Sequence, residues 1–290
     1  MTIHGFTFVR NAVKYDFPVV ESITSILPIV DEFIVNVGNS DDNTLQLIES
    51  IASPKIKIFH SVWNDSVREG GRVLAIETDK AFAKISPDAD WAFYIQADEV
   101  VHENDLATIQ NEAQKHLPNK EVEGLLFKYR HFYGTYDYVG DSRRWYNREI
   151  RLIRNDKSIR SYRDAQGFRK NNHKLKVKLI DAYINHYGWV KHPQKQQYKR
   201  DNFGILWNND QDAVEQEEKQ ALFDYIKDAD VLAPFKGTHP AVMQKRISEK
   251  NWETTFDLSR KNLSAKDSLL YKIEKITGHR LFDYRNYRII

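Results

Sequence analysis

A chain of 290 residues is long enough for one large α/β domain with an appendage, or for two modest domains. Its 41% hydrophobic and 29% charged residues, with 15 Tyr, 15 Phe and 6 Trp, exclude a disordered chain, because so much aromatic surface offsets the entropy of ordering. The 43 basic and 41 acidic residues leave only +2, with no global pull toward nucleic acid, and the absence of cysteine excludes disulfides, thiolate metal sites and cysteine nucleophiles.

Ile3-His4-Gly5-Phe6-Thr7-Phe8-Val9 reads as a first strand, rich in β-branched and aromatic residues and lacking the basic flank and long apolar core of a signal peptide. After Asp16-Phe17-Pro18, the residues Val19, Val20, Ile23, Ile26 and Leu27 recur at helical spacing, and Pro18 suits a first turn. Phe33 to Val37 is a second strand, followed by the polar loop Gly38-Asn39-Ser40-Asp41-Asp42-Asn43 and a helix from Thr44. Ile56 to Phe59 is a third strand, and Gly71 opens a helix through about Ile85. Trp91 to Ile95 is a fourth strand, and Gln96-Ala97-Asp98-Glu99 follows it directly.

Strands alternating with helices predict parallel pairing with right-handed crossovers, and ligands of such sheets gather at the carboxyl ends of the strands. The loops at 38–43, 62–72 and 96–99 all fall at those ends. From Glu123 the texture changes to aromatic strand-like segments at 123–133, 145–154 and 177–187, and beyond Lys199 it becomes helical. Helices are predicted over Glu215 to Ala229, with Ala221, Leu222, Tyr225 and Ile226 apolar, and over 266–277. The organisation expected is an α/β domain over 1–198 and a helical extension over 199–290 packed on it. No run approaches the ~20 apolar residues needed to span a bilayer, so a cytoplasmic chain, peripheral to a membrane at most, is expected.

A carboxylate of Gln96-Ala97-Asp98-Glu99, just after a buried strand, is suited to hold a hard divalent cation, which takes oxygen ligands and leaves open positions for phosphates. The loop of Asn39, Ser40 and Asp41 offers small residues and acceptors to a nucleobase or ribose. Arg68-Glu69-Gly70-Gly71-Arg72 sets two glycines and two arginines at a helix start, where anions are favoured and Arg72 can meet phosphate. Each feature also has a structural reading, as a strand end, an ordinary turn and a helix cap.

The order of these features resembles the family-2 GT-A glycosyltransferases, over about residues 1–190, and segment 10–44 looks like a bacterial subgroup linked to surface polysaccharide. The family's metal motif reads Asp-Ala-Asp-Glu, and Trp91 to Glu99 resembles it with Gln96 in place of the first aspartate. The resemblance implies a GT-A sheet flanked by helices, a nucleotide-diphosphate sugar donor, and Mn2+ or Mg2+ on Asp98. His186, after the strand Ala182-Tyr183-Ile184-Asn185, matches the place where a late His completes the family's metal site; His173 is a weaker candidate. Gln96 and Ala97 would face the donor with Asn39, Ser40, Asp41 and Arg72.

Inverting transfer needs a base for the acceptor hydroxyl. Asp164, on a loop beside Gly167, is the first choice and Glu149, between Arg148 and Arg151, the second. Aromatics at 131–138 and Trp145-Tyr146 suit the stacking of sugar C–H faces or core packing. The function expected is sugar transfer to a carbohydrate or glycolipid acceptor. Two alternatives remain: a GT-A fold that binds without catalysis, favoured by Gln96, and a sugar-phosphate nucleotidyltransferase, disfavoured because Arg10-Asn11-Ala12-Val13-Lys14 lacks glycine.

Overall fold

The first hundred residues fold as their alternation of apolar strands and amphipathic helices requires. In the computed structural model, which describes residues 1–67, 69–203 and 222–290, β1 (Ile3–Val9), β2 (Glu32–Val37), β3 (Ile56–His60) and β4 (Trp91–Tyr94) lie parallel in the order β3-β2-β1-β4. Helices α1 (Val19–Ile26), α2 (Thr44–Glu49) and α3 (Arg72–Ala83) supply the crossovers.

Alternate residues of a strand face opposite sides of a sheet. Ile3, Val9, Phe33, Val35, Trp91 and Phe93 therefore join Val19, Ile23 and Ile26 of α1 in one core layer. Phe6, Ile34, Ala92 and Tyr94 meet Val73 and Phe82 of α3 in the other. Each such side chain, fully buried, contributes about 1.5–3 kcal/mol of transfer free energy. At the start of α3, Gly70 (φ 56°) and Gly71 (φ 72°) are both left-handed. Two consecutive residues of that kind call for glycine, which has no Cβ to strain. Arg68, expected to join this anion site, lies outside the described residues.

The second half turns the sheet mixed. After β5 (Glu99–Val101) and α4 (Leu106–His116) come β6 (Gly124–Tyr133), β7 (Tyr138–Gly140) and β8 (Arg148–Arg154), and β8 inserts antiparallel between β4 and β6. The hairpin β9 (Ile159–Tyr162) and β10 (Gly167–Lys170), with β11 (His173–Lys174), forms a separate small sheet. The 14-residue strand β12 (Lys176–Trp189) runs parallel to β6 and antiparallel to β5. The architecture is thus a mixed α/β sheet flanked by helices, as the family resemblance implies.

Among the described residues, the rest of the chain is less helical than its composition suggests. It comprises α5 (Pro193–Phe203), α6 (Tyr225–Asp228), β13 (Leu232–Pro234), α7 (Gln244–Ser248), α8 (Ala265–Thr277) and β14 (Arg288–Ile289). β13 pairs with β7 and β14 with β12, so backbone ladders seat this segment on the sheet. Of the helix expected over 215–229, residues 215–221 lie outside the described residues, and the remainder is corrected to a single turn. Asp224 is extended there and caps α6, accepting from the amides of Ile226 and Lys227. Phe223 and Tyr225 are consequently buried, whereas Leu222 (54%) and Ile226 (51%) are exposed. α8 matches its expected range, opened by Ser264, whose Oγ accepts from Asp267 N, and closed by left-handed Gly278.

Candidate active site

The loop leaving β4 is held from both sides. Ser22 Oγ of α1 donates to Gln96 O at 2.7 Å, Glu99 N donates to Gln96 O at 3.0 Å, and Tyr187 N donates to Asp98 O at 2.8 Å. These bonds pin Gln96, Ala97 and Asp98 along a cavity of about 550 Å³ at the carboxyl ends of β1 and β4. That size suits a nucleotide sugar.

Glu99 points the other way. It is wholly buried, takes Arg151 Nε at 2.7 Å and Nη2 at 2.5 Å, and accepts from Tyr129 Oη. This satisfied ion pair underlies the site without lining it. The Gln96 amide donates to Tyr94 Oη (3.3 Å) and Ala165 O (3.2 Å), tying β4 to the β9–β10 turn.

Asp98 Oδ2 lies 3.4 Å from His186 Nε2 and 3.6 Å from Lys199 Nζ. Burial pushes the Asp98 carboxyl up, but the charge and hydrogen bond of His186, then Lys199 and Lys191, hold it well below the usual carboxylate range. Behind His186, its Nδ1 meets His131 Nδ1 at 3.2 Å, and His131 Nε2 meets Tyr146 O at 2.9 Å. A carbonyl only accepts, so His131 donates through Nε2. Burial, then the neighbouring His186, keeps the His131 imidazole neutral, so its Nδ1 accepts from His186 Nδ1–H. His186 Nε2 is thereby turned to Asp98: protonated, it donates to the carboxylate, and with that proton released its lone pair is free for a metal ion.

This arrangement tests the implied divalent ion. A carboxylate oxygen and an imidazole nitrogen 3.4 Å apart suit two adjacent ligands of one ion. Among the described residues no group of three His, Asp or Glu forms a cage. The pair fits an ion whose remaining positions belong to a diphosphate.

The geometry around His186 depends on an irregularity in β12. Strict alternation would set His186 and Trp189 on opposite faces, yet both line the cavity. The register of β12 against β6 shifts between them, while Tyr187 packs the other way, stacked on Phe132 at 4.6 Å. Gly188 makes the turn tight enough, since a Cβ there would stand 2.5 Å from Asp98 Oδ2 and 2.6 Å from His186 Nε2.

The remaining wall comes from the antiparallel half and from α5. Arg144, Trp145, Tyr146 and Trp189 face the cavity, with the Arg144 guanidinium 5.2 Å from the Trp145 ring centroid and 5.7 Å from that of Trp189. Asp164 and Gln166 line it from the β9–β10 turn, where Arg163 (φ 57°) and Ala165 (φ 64°) are left-handed. Burial raises the Asp164 carboxyl, opposed by backbone amides, Arg163 and Arg151. Lys199 and Arg200 enter from α5, and Arg10 from the end of β1, paired with Asp65 at 2.5 Å.

The other expected residues take different places. Asn39 accepts from Trp63 N at 3.1 Å, Ser40 Oγ from Asn11 N at 3.0 Å, and Asp41 N donates to Asn11 Oδ1 at 3.0 Å. They brace the turn after Arg10 and Trp63, of which Trp63 lines the cavity, while Asn39, Ser40 and Asp41 do not. Arg72 opens onto an adjoining cavity of about 770 Å³ that shares Asp164 and Gln166 with the first. Glu149 is buried behind the wall at 2% exposure, beside Gly167, and burial pushes its carboxyl up to about 7 against the pull of Arg151. His173 is exposed on β11. Sequence reasoning missed Lys199, Arg200 and Trp63, whose placement depends on contacts distant in sequence, and grouped His131 with the acceptor aromatics, not behind His186.

No family model and no curated protein matches the chain. Among solved structures it is similar to S. aureus TarS 1–349 in complex with UDP, at 14% identity over 71% of this chain and 65% of that one, with a TM-score of 0.42. The same fragment in complex with UDP-GlcNAc gives 12% identity, 71% and 66% coverage and a TM-score of 0.40. Glucosyl-3-phosphoglycerate synthase from Mycobacterium tuberculosis, in complex with Mn2+, UDP and phosphoglyceric acid, gives 20% identity over 45% of this chain and 43% of that one, with a TM-score of 0.31. The chain spans just under two thirds of the TarS fragment and under half of the synthase. No described helix is long and apolar enough to cross a membrane.

Proposed function

We propose that the chain is a glycosyltransferase of the GT-A type, moving a sugar from a nucleotide-diphosphate donor to a carbohydrate or glycolipid acceptor. One observation carries this reading: a single cavity brings together a wall of buried charge, Asp98 with His186 and Lys199, and a wall of Trp145, Tyr146, Trp189 and Asp164. The first suits a diphosphate leaving group and the second an acceptor sugar.

In this reading Asp98 and His186 would hold Mn2+ or Mg2+, which would supply positive charge for the departing nucleotide diphosphate. His131 keeps His186 Nε2 turned to Asp98. Asp164 takes the proton of the acceptor hydroxyl as that oxygen attacks the anomeric carbon from the face opposite the nucleotide, inverting it. The rings of Trp145 and Trp189 orient the acceptor and exclude water from the bond being broken. Gln96 acts as a tie between β4 and the turn carrying Asp164, which reconciles its neutrality with catalysis. Surface polysaccharide or glycolipid synthesis is the process that fits such an acceptor.

The test is a donor screen by nucleotide release, with uridine and guanosine diphosphate sugars, Mn2+ or Mg2+, and free sugars as acceptors. Release above the no-enzyme rate for one donor is expected. No release, together with no thermal stabilisation by any nucleoside diphosphate with or without Mn2+, would favour a binding protein that kept the fold.

A further inference from the structure

The negative charge of Asp98 is met from a direction that the metal reading does not use. Lys199, on α5, brings its ammonium to 3.6 Å from Asp98 Oδ2, donates to Gly188 O at 3.1 Å, and lies 4.9 Å from the ring centroid of Phe17. Only 17% of its side-chain surface is exposed, and Arg200 beside it also lines the cavity. A buried carboxylate and ammonium are costly to desolvate, so such a pair in a binding cavity calls for a use.

A divalent ion on the same carboxylate oxygen would face this ammonium at close range, a like-charge contact that disfavours it. An anion with several oxygens would relieve the conflict, because it offers the ammonium and the ion separate oxygens. Lysine suits the change of partner, being a point charge on a flexible stem with three donors.

Resting on the nucleotide-diphosphate reading above, we propose that Lys199 is a resident diphosphate-binding cation. In the free protein its ammonium is the counter-ion of Asp98; when the donor enters, it turns to the diphosphate and leaves Asp98 and His186 to the divalent ion. Two consequences follow from the geometry. The nucleotide-free protein binds divalent ions weakly, and nucleoside diphosphates bind even when no divalent ion is present.

Calorimetric titration of the wild type and of Lys199→Met with UDP and GDP, each against its monophosphate and in EDTA, tests the first contact. Mn2+ binding to the nucleotide-free proteins, followed by the paramagnetic resonance of the free ion, tests the second. The wild type is expected to prefer a diphosphate to its monophosphate by about tenfold in EDTA, the worth of one charge-assisted hydrogen bond. Lys199→Met should lose that preference with monophosphate affinity unchanged, and should bind Mn2+ alone more tightly than the wild type. Lys199→Arg, which keeps the charge, should retain the preference, and it carries the comparison if the methionine variant fails to fold. An unchanged diphosphate preference in Lys199→Met overturns the assignment of Lys199, as does an unchanged Mn2+ affinity. A wild type that binds neither diphosphate, with or without Mn2+, overturns the nucleotide-sugar reading and this inference with it.

Discussion

The two walls of the cavity are built by different means. The wall around Asp98 uses the carboxyl end of the parallel strand β4, and its side chains are fixed by ion pairs and by hydrogen bonds passed from Tyr146 through His131 to His186. The other wall uses loops of the antiparallel half, where Trp145 rests its indole over Gly140 and Asp164 sits between two left-handed residues. One wall is held by charges paired out of water; the other is shaped by ring packing and a turn with two left-handed residues. In the proposed reading the first binds charge and the second sugar, and substitutions should divide accordingly.

The largest separation is expected at Asp164→Asn. Nucleotide release should fall by roughly 10²–10⁴-fold, the range of general-base losses, while calorimetry finds diphosphate affinity unchanged. A parallel loss of diphosphate affinity would mean that the two walls act as one.

Glu149→Gln sharpens the comparison from behind the wall. The Glu149 carboxyl is raised by burial from 4.5 to about 7 in the folded protein. Above pH 4.5 the unfolded chain releases this proton while the folded chain keeps it. The carboxyl therefore costs stability increasingly from pH 4.5 up to about 7 and by a constant amount above that. The amide should stabilise the protein by up to about 3 kcal/mol at pH 8 and hardly at all near pH 4.5, as read by urea unfolding at both values. Nucleotide release should remain close to wild type; a hundredfold loss would return Glu149 to the reaction.

A smaller effect is expected at Trp189→Leu. Loss of one stacking ring should raise acceptor KM by about 2- to 10-fold, for an interaction of about 0.5–1.5 kcal/mol, and leave the donor KM alone. Movement of the donor KM instead would place the indole on the nucleotide side.

The wall of buried charge was the more legible in the sequence, and only in part. The alternation in β1 to β4 announced parallel strands, and Asp98 falls where such a sheet offers its ligands. His186 was legible by family resemblance, but nothing local distinguished Glu99, a ligand-like carboxylate, from the buried partner of Arg151 that it is. Lys199 was hidden because Pro193 to Phe203 is strongly polar and carries no apolar stripe; its burial arises from Phe17 and the end of β12. Arg72 stands at the helix start where an anion-binding residue is expected, yet it follows two left-handed glycines and lines the adjoining cavity. Among the described residues, the strands β7 and β9 to β11 are too short for periodicity to mark them.

The register shift between His186 and Trp189 carries a consequence for protein engineering. The site is spelled in counted residues as well as in residue types. Removing one residue from Tyr187-Gly188-Trp189 would exchange which side chains face the cavity, bringing a phenol or a bare backbone to the place of an indole. The tripeptide should therefore be transplanted as a unit when loops are grafted or libraries built. A frame-preserving deletion here is expected to do more damage than most single substitutions nearby.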